Sequence, residues 1–171
     1  MCLCWCTLSL VRALTPVETA IALAIVGSVL ASAVPVFVRN LHASRLVEPI
    51  DGLERIAARA TMLAASRPAA DAYPDTVGLT PSQVPRGQRV LDPPGTWDDP
   101  TWRSLDFAWT VPHSFSFAFE SHSSAELAVF RALAHGDLDG DGLHSTFEIS
   151  GESRDGAQPL VFPMQMHREV E

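Results

Sequence analysis

Twenty consecutive residues, 19–38, carry no ionisable side chain, and the apolar run that holds them opens on Leu14-Thr15-Pro16-Val17-Glu18 and turns polar at Arg39-Asn40. Written as a helix at 1.5 Å per residue, twenty residues reach about 30 Å, enough to cross the hydrocarbon core of a bilayer. Past Pro35 the periodicity stays near 3.6: Val38, Leu41, Arg45, Leu46 and Glu48, then Leu53, Ile56, Ala60, Leu63 and Ala64, with Arg55 and Arg59 on the polar flank. The pattern predicts one helix from Thr15 to about Ser66, kinked at Pro35 and near Pro49 and stopped by Arg67-Pro68. An apolar half joined to an amphipathic half implies two different solvents.

Residues 67–106 hold Pro68, Pro74, Pro81, Pro85, Pro93, Pro94 and Pro100, a density that forbids long regular elements. An ordered connecting loop is expected there, pinned by Tyr73, Trp97 and Trp102. From Phe107 the period becomes two. Strands are expected through Phe107, Trp109 and Val111, through Phe115, Phe117 and Phe119 after a Pro112-His113 turn, and through Leu127, Val129 and Leu133. Shorter ones follow over 146–150 and 161–166. The expected fold class is α+β, with a long kinked N-terminal helix packed on a small antiparallel β-sheet head.

Glu18 is the one acid at the mouth of the apolar run. Near a bilayer centre a carboxylate costs roughly 2.5–3.5 kcal/mol on insertion scales, so it is usually there to meet a cation. The segment from Ala13-Leu14-Thr15-Pro16-Val17-Glu18 through Gly27 to Pro35 resembles a type IV prepilin. The joint spacing of Glu18, Gly27 and Pro35 within one apolar run carries the resemblance, which covers about twenty-five residues. It implies cleavage by a prepilin peptidase between Ala13 and Leu14, methylation of the Leu14 amine, and pairing of Glu18 with the N-terminal amine of a neighbouring subunit. Gly27 and Pro35 stand where the family places its helix glycine and helix-loosening proline. Alanine and leucine replace the family's usual glycine and phenylalanine at the cut, and Pro16 is unusual there. A first-turn proline is physically tolerable, because its missing N–H would have no intrahelical partner.

The resemblance divides the chain into a leader (1–13), a transmembrane or filament-core helix (14–38), its amphipathic continuation (39–66), and a β-rich head with a Pro-rich connecting loop (67–171). It implies other pilin subunits, the peptidase, inner-membrane assembly machinery and, before assembly, membrane lipid as partners. The implied location is the bacterial inner membrane, in a single pass, and then a periplasmic or extracellular filament. Cys2, Cys4 and Cys6 all fall in the leader and supply no disulfide framework for the head.

Composition narrows the alternatives. A net charge of -8, with all twelve basic residues arginine and none clustered, argues against a nucleic-acid surface. An ordinary cleaved signal has an apolar core of 7–15 residues, shorter than the run found here, so retention in the membrane is expected. The six histidines show no ligand spacing, and neither Gly-x-Ser-x-Gly nor a phosphate-cradling glycine loop occurs, so no enzyme is expected.

One further motif bears chemistry. Across residues 137–148, Asp137, Asp139 and Asp141 alternate, Gly142 follows, Leu143 offers a carbonyl, Ser145 an oxygen side chain, and Glu148 ends the block. That reproduces the oxygen ligands of a twelve-residue calcium loop. The exiting helix of an EF-hand is missing, since 147–151 reads as strand then turn. Two readings stand: a structural Ca2+ site, or an Asp/Gly turn with solvated carboxylates. Some pilin-like proteins resemble the chain here too. The expected function is a structural subunit of a type IV pilus or type II secretion pseudopilus-like filament. The alternative is a single-span membrane-anchored exported domain, with or without calcium, that does not polymerise.

Overall fold

A computed structural model describes residues 15–167, without the side chains of 38–45. The leader, with Ala13, Leu14 and the three cysteines, lies outside the described residues. Two compact units are present, one ending at Leu41 and the other beginning at His42.

The first unit is helical. Helix α1 (Pro16–Ala64) begins in it, and Pro16–Phe37 has a mean hydropathy of 2.3 with none of its residues buried. This one helix is long and apolar enough to span a membrane. Its hydroxyls are satisfied internally: Ser28 donates to the Ala24 carbonyl at 2.8 Å and Ser32 to that of Ser28 at 3.1 Å. Such back-bonding leaves few polar groups for a medium that cannot solvate them.

In the second unit α1 ends by burying Pro49, Gly52, Leu53, Ile56, Ala57, Ala60 and Ala64, one face at helical spacing. Small residues fill most of that face because aromatic rings lie against it. A Cβ on Gly52 would stand 2.5 Å from Cε1 of the fully buried Phe117 and 3.2 Å from Cζ3 of Trp109. Glycine costs a helix about 1 kcal/mol relative to alanine, and here it is what lets the helix approach the sheet.

The sheet is antiparallel, with order β1 (Val77–Thr80), β2 (Phe115–Ser123), β3 (Leu127–Gly136), β4 (Ser145–Arg154), and then β5 (Leu160–Val161) and β6 (Gln165–His167), which pair with successive stretches of β4. Phe115, Phe117, Phe119, Phe130 and Phe147 are buried with the helix residues in one core. As expected, Tyr73, Trp97 and Trp102 are buried in the segment between α1 and β2, which also carries β1 and the short helix α2 (Pro100–Ser104).

Three strand expectations change. Residues 107–111 form no strand. Asp106 turns the chain at φ 50° and the Phe107 N–H closes on the Trp102 carbonyl at 3.0 Å, while β1 takes the edge of β2. Phe107 and Trp109 then pack as rings, 5.2 and 5.5 Å from Phe117. Strand β3 is where the alternation placed it, but it buries Ala128, Phe130, Ala132 and Ala134 rather than Leu127, Val129 and Leu133. The face with Leu127, Val129 and Leu133 also carries Arg131 and His135, while the alanine face has no charged side chain and leaves room for the neighbouring rings. Finally, the stretch over 161–166 divides into β5 and β6, because Pro163 has no N–H for the ladder.

Candidate functional site

Glu18 closes a capping box at the start of α1. The Thr15 N–H and hydroxyl donate to Glu18 Oε2 at 2.8 and 2.9 Å, and the Glu18 N–H donates back to Thr15 Oγ1 at 3.3 Å. With Pro16 in the first turn, Thr-Pro-Val-Glu is a helix-start signal that satisfies donors left open at any helix N-terminus. The sequence reading gave Glu18 a distant partner and overlooked this local one. Glu18 Oε1 carries no bond among the described residues. Gly27 and Pro35 both lie within α1 on exposed turns, and a Cβ on Gly27 would have nothing within 4 Å.

At the other end of the chain, the β3–β4 connection gathers Asp137, Asp139 and Asp141, whose ligand oxygens lie within 4.8 Å of one another. Asp137 is buried and braces the turn, its Oδ1 accepting from the Gly140 N–H at 2.7 Å and its Oδ2 from the Gly142 N–H at 3.1 Å. Asp139 and Asp141 are exposed and each uses only Oδ1, toward the N–H groups of Asp141 and Leu143 at 3.1 and 2.7 Å. Oδ2 of each is left without a bond among the described residues. Ser145 pairs with Gly136, and its buried hydroxyl has no hydrogen-bond partner among the described residues. Glu148 is not gathered with the three: it lies on β4 opposite Leu133, with its carboxylate 3.8 Å from Arg131. The oxygens at hand are hard donors suited to calcium, and of the four expected carboxylates three converge.

Two buried acids escaped the sequence reading. Glu48, on α1, has a side chain 10% exposed, and its Oε1 accepts from the Ser114 and Phe115 N–H groups at 2.6 and 3.0 Å. Burial pushes its carboxyl above the ordinary range, against the pull of those two bonds, His113 and Arg89. Asp92 accepts from the Trp97 indole at 2.8 Å on the same Oδ2 that meets His113 Nε2 at 2.8 Å, while His113 Nδ1 faces the Phe115 carbonyl at 2.7 Å. Side-chain exposure is 0% for His113 and 4% for Asp92. An acid on an otherwise apolar helix face was the only sequence signal for Glu48. For Asp92, 21 residues from its histidine, there was none.

These elements define an α+β protein with one apolar, membrane-length helix and a small antiparallel sheet. Comparison with protein-family models, with curated proteins and with solved structures finds no match to this chain.

Proposed function

We propose that the chain is a pilin-like subunit, held in a membrane by the apolar part of α1 and then assembled through it into a filament. One observation carries this reading: a membrane-length helix with no buried residue has a single carboxylate at its mouth, and one oxygen of that carboxylate has no bond among the described residues. In lipid or in a helical bundle a free carboxylate oxygen calls for a cation, and a neighbour's N-terminal amine supplies one. Gly27 supports the same reading, since a mid-helix glycine whose added Cβ would meet no other described residue within 4 Å suits close approach by another helix. Cleavage between Ala13 and Leu14 belongs to this proposal.

The capping box favours the second reading, a single-span anchored domain that never polymerises, because it accounts for Glu18 without a neighbour. Glutamine serves a capping box as well as glutamate does. Glu18→Gln is therefore expected to insert normally and to lose incorporation into filaments by at least roughly tenfold, the scale of a lost charged contact of about 1.4 kcal/mol or more. Crosslinking of filaments sheared from cells measures it. Normal assembly of Glu18→Gln would show that the acid serves only its own helix.

The three aspartates enter the proposal as a calcium site that fastens the β3–β4 turn. Asp139 and Asp141 would supply their unbonded oxygens, and the ion would relieve the repulsion among three gathered carboxylates. With calcium at about a hundred times its dissociation constant, linkage adds about 2.7 kcal/mol, so the melting temperature of the detergent-solubilised chain is expected to rise by several degrees. Chelation should reverse the rise and the double change Asp139→Asn, Asp141→Asn should abolish it. A melting curve indifferent to millimolar calcium leaves an Asp/Gly turn and no metal.

A further inference from the structure

The face of the sheet that carries Glu120, Arg131 and Glu148 also holds imidazoles that the filament reading does not use. His135 on β3 is paired across the ladder with Thr146 on β4, and Thr146 in turn with His167 on β6. Residues paired in this way project to one face, so the three form a row. His135 Nδ1 lies 3.0 Å from Thr146 Oγ1, and the His135 ring centroid lies 6.4 Å from that of His144, the residue before β4.

Of the two tautomers that the Thr146 contact allows His135, one presents a metal ligand. With Nδ1–H donating to Thr146 Oγ1, the lone pair sits on Nε2, which has no bond among the described residues. Metal-binding imidazoles are held in this way, one nitrogen tied to an oxygen and the other presented. With a Zn–N bond of about 2.1 Å and a ring centre roughly 1.1 Å beyond the nitrogen, two imidazoles on a tetrahedral ion have centroids about 5 Å apart. The observed 6.4 Å exceeds that by little more than about 1 Å, and His144 is exposed, so its ring is free to turn toward His135.

We propose that His135 and His144 form a site for a divalent transition metal of the zinc class, with water completing the coordination and Thr146 as a positioning residue. Imidazole nitrogen selects zinc, copper or nickel, whereas the aspartates of the neighbouring turn offer oxygens suited to calcium. The two sites are therefore separable by metal, and this one does not depend on polymerisation.

Isothermal titration of Zn2+ into the untagged full-length chain in detergent, with calcium in excess, tests the proposal. One saturable site is expected, weakened by roughly tenfold or more in His135→Asn and in His144→Asn. Thr146→Val should weaken it by about tenfold and Thr146→Ser should restore it, a rescue that a purely structural role would not require. Because His144 is exposed, His144→Asn should leave the metal-free melting temperature unchanged, which separates lost ligation from lost folding. No saturable zinc binding, or an affinity unmoved by both histidine substitutions, overturns the site. An unchanged affinity in Thr146→Val overturns the positioning role.

Discussion

Asp92→Ala is expected to destabilise the sheet-bearing unit by about 2–5 kcal/mol, the usual consequence of leaving two buried polar groups without their partner. One carboxylate oxygen serves both the Trp97 indole and His113 Nε2. Since Nδ1 donates to the Phe115 carbonyl, the contact with Asp92 attracts only if a proton lies between Nε2 and Oδ2. Alanine removes the acceptor for two donors at once and leaves an imidazole with no water to turn to. Trp97 also packs edge-on against Trp102 and Phe107 at 5.5 and 5.4 Å, so its loss of anchorage reaches the aromatic core. Urea unfolding followed by tryptophan fluorescence measures the effect. A loss under about 1 kcal/mol would mean that the pair is incidental to the fold.

Glu48→Ala is expected to cost about 3 kcal/mol, since it strands the Ser114 and Phe115 N–H groups at the start of β2, and to lower the melting temperature by roughly 10 °C. Glu48→Gln separates the hydrogen bonds from the charge. The amide oxygen can still accept both bonds while the buried charge disappears, so this variant should stay close to wild type. The sign of the pH dependence follows from the raised carboxyl. A group that holds its proton more tightly when folded contributes stability below its unfolded value and loses it as pH rises through the folded one. Wild type should therefore lose part of its stability as pH climbs through the mildly acidic range, and Glu48→Gln should lose less. Equal slopes in the two proteins would show that Glu48 is not the group responsible.

Both acids show how local structure and function compete for the same residue. Glu18 and Glu48 each accept two hydrogen bonds on one oxygen, yet Glu18 binds residues three positions away and Glu48 binds a strand more than sixty positions away. The first partnership is written in the Thr-x-x-Glu spacing and the second is not. This is why Glu18→Gln, which keeps the cap and removes the charge, discriminates between the filament and the anchored domain better than Glu18→Ala, which disturbs both.

Local order and one-dimensional periodicity determined much by themselves. The uncharged run and its 3.6-residue continuation marked α1 and its core positions Leu53, Ile56, Ala60 and Ala64, and alternation marked β2 and β3, because those patterns depend only on which neighbours lie two, three or four residues away. The clustering of Asp137, Asp139 and Asp141 was legible for the same reason. Tertiary structure alone decided which face of β3 is buried, that 107–111 packs as rings instead of pairing, that Gly52 admits Phe117, and that Glu148 meets Arg131 rather than the aspartates. It alone joined Asp92 to His113 and Glu48 to β2, and set His135 beside His144. Each of these depends on distances between segments far apart in sequence, and periodicity holds no information about how such segments meet.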